Sequence, residues 1–222
     1  MSGQAMAQGI GAKMEAAGAR VGTPVCTKFM ARYVGAETAG GTYSFDLELT
    51  IARLRTAGRM IARTGTDGLI VCSAREHTRT PVERFCELTG AKKILGRFMP
   101  GTLTNPSLPH YIEPKLVLVS DPAVDSQAIV EATNAGIPVI GMANTDNVTS
   151  MLDVVIPTNN RGRKSLAAAY WMLAREVLVT RGDIDEAGAG EDNRHSMDLD
   201  IEDFEDKMSI DEASEEGDEG EE

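Results

Sequence analysis

The sequence has few cysteines and no long apolar run. Its three cysteines, Cys26, Cys72 and Cys86, are odd in number and form no C-x-x-C pair, so they indicate neither a disulfide framework nor a zinc site. No apolar stretch approaches the ~18 residues that a membrane span requires. Lys13 and Glu15 interrupt the segment where a signal peptide needs an apolar block. These features predict a cytoplasmic protein with no membrane contact.

The charge is divided unevenly along the chain. Of the 222 residues, 34 are acidic and 22 are basic, which gives a net charge of −12. Residues 183–222 hold 19 of the acidic residues and only two basic ones, Arg194 and Lys207. Residues 1–182 therefore keep 15 acidic and 20 basic residues, a net charge of +5. We interpret the chain as a mildly basic body that carries a strongly acidic tail.

Composition divides the chain into three segments. Residues 1–22 are rich in Gly and Ala, which predicts an N-terminal arm or a frayed helix. Residues 23–182 are long enough for one α/β domain with a single substantial core. Residues 183–222 have few apolar side chains and many like charges, which predicts a disordered tail that does not join the core. Within the tail, the run 199–204 is a candidate for a short helix on a partner, and a solvating polyanion is the simpler interpretation.

Strand and helix patterns alternate from residue 42 onwards. Helical spacing or flanking stop signals indicate helices over 47–61, 81–88, 126–135 and 166–178. Apolar or β-rich runs indicate strands over 42–45, 69–72, 115–119, 137–142 and 154–156. This alternation predicts a three-layer α/β/α sandwich, because crossover helices cover both faces of a parallel sheet. We expect a mainly parallel five-stranded sheet in flavodoxin-like order.

The loop Gly96–Asn105 combines several groups that suit contact with phosphate. Pro100 and Gly101 interrupt regular structure, and Gly101 allows the backbone to approach a partner closely. The loop also offers the cation Arg97 and the aromatic face of Phe98. By composition alone an ordinary surface loop is the better interpretation. Contacts with a phosphate-rich partner would be polar or through the backbone, at Thr102, Thr104 and Asn105.

A second basic segment, Asn159–Ser165, places three cations among amides at a predicted helix start. Free N–H groups at such a position already favour an anion. On physical grounds this is the strongest phosphate-binding motif in the chain. Lys92 and Lys93 lead into the first loop, and further cations lie elsewhere in the body. The full set of candidate contacts with a phosphate-rich partner is Lys28, Arg32, Arg75, Arg79, Lys92, Lys93, Arg97, Thr102, Thr104, Asn105, Arg161, Arg163 and Lys164.

An enzyme of this fold class would place its site at the carboxyl ends of the strands. Polar residues do occur there, including Asp121 and Asp146, and both residue types also cap turns and helices. No Gly-rich phosphate loop follows any strand and no paired histidines occur, so we expect no catalytic residue, metal or cofactor. The alternatives are a nucleotide- or phosphosugar-binding enzyme that uses Asp121 and Asp146, and an acidic-tailed chaperone for basic proteins.

A series of motifs in the body closely resembles one protein family. In chain order they are Gly22-Thr-Pro-Val, Val71-Cys-Ser-Ala-Arg, Pro81-Val-Glu-Arg-Phe, Gly96 to Pro106, Tyr111-Ile-Glu-Pro, Gly136-Ile-Pro-Val, Thr145-Asp-Asn and Ile156-Pro-Thr-Asn-Asn. They resemble the signature of the S-two family of small-subunit ribosomal proteins, in its archaeal and eukaryotic form, over roughly residues 18–182. One departure is Arg20, since family members commonly have His at this position.

The resemblance implies a structural role without enzymatic activity. A member of this family is expected in the small ribosomal subunit, where it binds small-subunit rRNA between head and body and supports assembly and translation. Neighbouring small-subunit proteins are the expected partners, and DNA is not. No heptad segment is present for the coiled-coil hairpin of the bacterial branch, so the compact archaeal type is implied.

Overall fold

The computed structural model of the chain describes residues 2–38, 40–184 and 200–205. The helices in these residues are α1 Ser2–Ala16, α2 Leu47–Thr64, α3 Arg79–Thr89, α4 Ser126–Asn134 and α5 Arg163–Arg181. The strands are β1 Val34–Glu37, β2 Tyr43–Phe45, β3 Leu69–Ser73, β4 Lys92–Leu95, β5 Leu116–Val119, β6 Val139–Ala143 and β7 Val154–Pro157. The helices and strands expected from the sequence are therefore present, with shifted ends.

Five of the strands form a parallel sheet in the order β4-β3-β5-β6-β7. The first strand of the sheet lies between the second and the third, which is the flavodoxin-like order. The predicted fold class is confirmed. Strand β4 follows Gly90, whose φ of 77° ends α3, and forms one edge of the sheet. Strand β2, predicted over residues 42–45, pairs instead with β1 in a small antiparallel sheet.

Each face of the parallel sheet has its own core. Alternate residues of a strand point to opposite faces, so Leu69 and Val71 pack against α2, α3 and α5, whereas Ile70 and Cys72 pack against α4. A third cluster, which includes Met30, lies over Ala143 and Val155 of strands β6 and β7. Burial raises the pKa of the Cys72 thiol well above its usual range, as expected for a small core residue.

Helix α5 is buried on nearly all sides, because α2, α3 and the sheet surround it. Its middle turns are accordingly apolar all round, with three successive alanines, 167–169, that allow close approach. Gly58 of α2 allows the tightest contact: a Cβ there would lie 2.7 Å from Cβ of Glu176. Among the described helices, α5 included, none is both long and apolar enough to cross a lipid bilayer.

The N-terminal segment packs against the body. Residues predicted as an arm or a frayed helix form α1, and its residues Ile10 and Met14 are buried in the core on the α5 side. Ala19, which follows the helix, is also buried there. The predicted domain boundary at residue 22 stays a prediction, but the segment before it contributes side chains to the core.

A short piece of the acidic tail also reaches this core. Residues Ile201–Phe204 form a 3₁₀ turn that lies against α5 and α3, and Phe204 is completely buried. Ile201 is partly buried beside it, while Glu202 and Asp203 remain exposed. The expectation that no tail residue joins the core is therefore wrong for Phe204. Residues 185–199 and 206–222, where disorder is predicted, lie outside the described residues.

Candidate RNA-binding surface

The carboxyl ends of the parallel strands meet at one edge of the sheet, here called the carboxyl edge. The segments that leave this edge begin at Ala74 after β3, Gly96 after β4, Ser120 after β5, Asn144 after β6 and Thr158 after β7. In an open α/β sheet this edge is where ligands usually bind. Most of the candidate residues lie on these segments or beside them.

A buried polar network occupies the middle of the carboxyl edge. The Arg75 Nε atom donates to Oδ2 of Asp121 at 2.6 Å, and the Asn147 amide donates to Oδ1 of Asp121 at 3.3 Å. Oδ1 of Asn147 accepts from the Asn144 backbone at 2.6 Å and from the Asn160 amide at 3.1 Å. These side chains hold the strand ends to one another, so most of their hydrogen-bonding groups are used within the protein. Oδ1 of Asn160 is the exception, since it is buried and has no hydrogen-bond partner among the described residues.

Asp125 belongs to the same network. Burial raises its pKa to about 6, although backbone N–H groups of Asp121 and Ala74 donate to its carboxylate and lower the pKa in part. A perturbed carboxyl group in a cleft is often catalytic. Here both oxygens accept hydrogen bonds from backbone N–H groups that follow strands β3 and β5, which is a structural role. No cluster of three or more metal-ligating side chains occurs in the part of the chain that the structure describes.

The two aspartates of the enzyme alternative are both ion-paired. Asp121 is buried, pairs with Arg75, and accepts a hydrogen bond from the Ala123 backbone at 2.9 Å, so it closes a turn. Asp146 is half-buried and pairs with Arg161. The structure thus gives both carboxylates a partner within the protein.

The loop before α5 presents the three cations that the sequence singled out. Arg161, Arg163 and Lys164 are all exposed at the carboxyl edge beside β7. The side chain of Asn159 fixes this loop, since its Oδ1 accepts from the backbone N–H groups of Arg161 and Gly162 at 3.1 and 3.2 Å. The cations are therefore held on an ordered turn at a helix start.

A neighbouring loop adds Lys28 and Arg32 to the same side of the molecule. The Thr27 backbone N–H donates to the carbonyl of Thr145 at 2.9 Å, and its hydroxyl donates to the carbonyl of Asn147 at 2.8 Å. Lys28 is exposed beside this junction, and the Arg32 guanidinium stacks 4.8 Å from the Tyr33 ring centre. We call Lys28, Arg32, Arg161, Arg163 and Lys164 together the β7 cationic surface.

The loop Gly96–Asn105 is folded inwards more than its composition suggests. Phe98 and Leu103 are buried in the core beside α4, so the aromatic face of Phe98 does not lie open to a partner. Thr102 is also buried, and its hydroxyl donates to the Met99 carbonyl at 2.6 Å. The exposed members of the candidate set in this loop are Arg97, Thr104 and Asn105.

The buried carboxylate of Glu131 organises this loop from α4. It accepts from the backbone N–H groups of Gly101 and Leu103 at 2.7 and 3.1 Å and from the Gln127 amide at 2.9 Å. The close backbone approach expected at Gly101 is thus made within the protein, and its N–H is not free for phosphate. Burial by itself raises the pKa of Glu131, but these hydrogen bonds outweigh it and hold the pKa below its usual value.

Replacing Glu131 with Gln is expected to lower the free energy of unfolding by about 1–3 kcal/mol. The new amide NH₂ would face a backbone N–H, which leaves a buried donor unpaired. The pKa of Glu131 in the folded protein lies below its unfolded value near 4.5. The ionised carboxylate therefore contributes its full stabilisation of the fold above pH 4.5. We therefore expect the difference between wild type and variant, measured by urea unfolding, to shrink as the pH falls below about 4. An exposed control, Glu87→Gln, should change stability by less than about 0.5 kcal/mol, and an equal effect of both would contradict the role of Glu131.

The remaining candidate cations lie nearer the β4 side of the sheet. Lys92 is exposed on β4, whereas Lys93 pairs with Glu83 at 3.5 Å. Arg79 pairs with the same carboxylate at 3.6 Å. Arg75, paired with Asp121, is the least exposed of these cations, with about a quarter of its side chain accessible. The exposed Arg97 and Lys92 are thus the cations on this side for which no ion pair is seen in the described residues.

The candidate residues form two groups rather than one. The β7 cationic surface and the loop at Arg97 lie at opposite ends of the sheet order β4-β3-β5-β6-β7. Four strand spacings of ~4.8 Å separate these ends, which is roughly 19 Å. The buried network around Asp121 lies between them. The sequence indicated both groups, but not their separation or the paired state of Arg75, Arg79, Lys93 and Arg161.

Comparison with known proteins identifies close relatives. The family model described as ribosomal protein S2 matches residues 109–179. The chain is 56% identical over 212 residues to the small ribosomal subunit protein uS2 of Nitrosopumilus maritimus, covering 96% of this chain and 99% of the relative. It is 56% identical over 190 residues to uS2 of Cenarchaeum symbiosum, covering 86% and 88%. It is 50% identical over 169 residues to uS2 of Thermofilum pendens, covering 76% and 79%.

Proposed function

The chain belongs to the ribosomal protein S2 family, and from this premise we propose that it binds small-subunit rRNA between the head and body of the small ribosomal subunit. Members of this family are structural ribosomal proteins, so the chain is a structural component and not an enzyme. It acts in the cytoplasm, on the ribosome, where it supports subunit assembly and translation. Small-subunit rRNA and neighbouring small-subunit proteins are its partners.

The observation that carries this proposal is the β7 cationic surface. Its five cations stand on or beside two loops, both of which hydrogen-bond to Asn147 in the segment after β6, so they are positioned before RNA binds. Arg161 and Arg163 have the planar fork that matches phosphate, and Arg163 and Lys164 begin a long helix whose dipole favours an anion. Structured RNA is recognised largely through its shape and its phosphate and 2′-hydroxyl groups, which this arrangement suits.

The second group of residues supports contact with a second RNA segment. Arg97, Thr104 and Asn105 are exposed at the other end of the sheet, roughly 19 Å away. A single RNA segment would have to bend to reach both groups. Two RNA segments that approach the protein from different sides can each contact one group without bending. A protein that lies between head and body needs such separate contacts, and the rigid sheet keeps their distance constant.

Ion pairs that some candidate cations form within the protein limit their affinity for RNA. Arg161 must give up its ion pair with Asp146 before it neutralises a phosphate fully, and Lys93 must likewise give up its ion pair with Glu83. Such exposed pairs are weak, at roughly 0–1 kcal/mol, so the exchange costs little. Arg75 pairs with a buried aspartate and is the candidate that changes partner least readily.

Association with the small subunit is the experiment that tests this proposal. The full-length protein, added to small subunits from which the endogenous copy has been removed, is expected to sediment with them and to stay bound through a high-salt wash. An adventitious contact through charge alone would be released by the same wash, because counterion competition weakens it steeply. Complete release at the salt concentration that releases an unrelated basic protein would contradict the proposal.

A further inference from the structure

Arg53 lies beside the β7 cationic surface but is not among the candidate contacts. It stands on the second turn of α2, and the first turn of this helix is fixed to the carboxyl edge. The Thr50 hydroxyl donates to the carbonyl of Pro157, the last residue of β7, at 2.8 Å. From there α2 runs towards the amino ends of the strands, where β3 begins. Arg53 is the first of the four arginines on α2 and therefore the one nearest the carboxyl edge.

The guanidinium of Arg53 shares an aromatic ring with that of Arg32. The central guanidinium carbon lies 5.6 Å from the centre of the Tyr33 ring for Arg53 and 4.8 Å for Arg32. Tyr33 is itself buried in a cluster with Met30 and Phe45, so the ring is fixed. Two separate parts of the chain thus bring their cations to one rigid support, and less conformational freedom remains to be lost when an anion binds.

Neither of these two cations is neutralised by the rest of the described protein. Among the described residues, no ion pair or hydrogen bond involves the side chain of Arg32 or Arg53, whereas Arg59 on the same helix pairs with the buried Glu176 at 3.2 Å. An aromatic ring attracts a cation through its quadrupole and leaves the net charge in place. Two like charges held on one ring repel each other, and an anion that contacts both relieves this repulsion.

We propose that Arg53 binds RNA phosphate jointly with Arg32. Each guanidinium carbon lies within 5.6 Å of the same ring centre, so both cations can reach one stretch of an RNA backbone. The planar guanidinium fork matches phosphate oxygens. This inference rests on the proposed function, because it extends the RNA-binding surface from the loops onto α2. A surface with this many cations fits the continuous charge of a nucleic acid better than the separate carboxylates of a protein.

The variant Arg53→Met, in the full-length chain, tests the charge of Arg53. Methionine keeps a long apolar side chain against the Tyr33 ring, so the charge and the N–H donors are removed while the ring stays covered. Loss of one phosphate contact is expected to lower the slope of log K against log salt, for protein-free small-subunit rRNA, by roughly 0.7 to 0.9 units. When the salt concentration is raised from 50 to 200 mM, the affinity of the wild type should fall about threefold more than the affinity of the variant.

Two further variants separate a phosphate contact from a structural role. Arg53→Lys keeps the charge and should keep the slope within about 0.3 units of the wild type. Arg63→Met makes the same change roughly 15 Å further along α2 and should also leave the slope within about 0.3 units. If Arg53 only covers Tyr33, Arg53→Met lowers the free energy of unfolding and leaves the slope unchanged, and that result would overturn the inference. An equal loss of slope in Arg53→Lys or Arg63→Met would overturn it as well, since the effect would not depend on the charge at position 53.

The same variants distinguish RNA from a protein partner. Binding to small subunits that lack the endogenous copy is measured beside binding to protein-free small-subunit rRNA. If Arg53→Met weakens binding to the subunits but leaves the slope for the rRNA unchanged, Arg53 contacts a carboxylate of another protein and the inference is wrong. A wild-type chain that binds neither the subunits nor the rRNA would instead overturn the proposed function, and the inference with it.

Discussion

A Phe204→Ala variant is expected to unfold with a free energy of unfolding about 3 kcal/mol lower than that of the wild type. Phe204 is completely buried against α3 and α5, and deletion of such a ring costs about 3–5 kcal/mol. We expect the lower end of this range, because the short segment 200–205 regains conformational freedom when it leaves the body. The segment is therefore a packed part of the fold despite its acidic surroundings.

Urea unfolding, followed through the single tryptophan Trp171 of the buried helix α5, measures this effect. The matched control is Glu202→Ala, Asp203→Ala, which removes exposed charges from the same turn and should change stability by less than about 0.5 kcal/mol. If Phe204→Ala also stays within 0.5 kcal/mol of the wild type, the packing of this segment contributes nothing to stability. The docked arrangement would then be contradicted.

Sequence reasoning missed Phe204 because the features of its neighbourhood all favour exposure. Four carboxylates surround Phe204 within residues 200–205. The composition of the whole tail, with its 19 acidic residues, also gives little weight to one aromatic side chain. The spacing of Ile201 and Phe204 was the available signal, since two apolar residues three apart share one face of a turn. Which surface they cover depends on how α3 and α5 pack together, and this follows only from the assembled fold.

The fold itself was predictable because local signals agree with one another. Strands such as Leu116–Val119 are continuously apolar, as burial on both faces requires, and Gly90 ends α3 in the left-handed conformation. The edge strand β4 was missed as a strand, and Lys92 and Lys93 explain why. Both are exposed at the edge of the sheet, where charged side chains are tolerated and protect against edge-to-edge pairing.

The candidate surface was only partly predictable. The position of Arg161, Arg163 and Lys164 before a helix follows from sequence, because the apolar pattern of α5 begins directly after them. The inward fold of the loop Gly96–Asn105 does not, since it depends on Glu131, which lies about 30 residues away on α4. A lone acidic side chain among the buried positions Ala128, Ile129 and Ala132 was the signal that Glu131 faces inwards.

Removal of the three cations before α5 is expected to have the largest effect on RNA binding. In the variant Arg161→Ala, Arg163→Ala, Lys164→Ala, up to three phosphate contacts are lost, which lowers the slope of log K against log salt by about two to three units. Arg161 contributes least, because its pair with Asp146 already offsets part of its charge. When the salt concentration is raised from 50 to 200 mM, the affinity of the wild type should fall roughly 40-fold more than the affinity of the variant.

A control variant separates this local effect from a change in total charge. Arg63 and Lys115 are exposed beside the amino ends of the strands, at the edge opposite to the β7 cationic surface. The double variant Arg63→Ala, Lys115→Ala removes two cations there and should leave the slope within about half a unit of the wild type. A slope lowered equally by both variants would indicate a diffuse attraction instead of a defined surface.

The salt dependence of small-subunit rRNA binding is therefore the measurement that tests the β7 cationic surface most directly. We expect a slope lowered by about two to three units in the Arg161, Arg163 and Lys164 variant and an almost unchanged slope in the Arg63 and Lys115 control. An unchanged slope in the first variant would show that phosphate is bound elsewhere and that the β7 cationic surface does not bind the RNA.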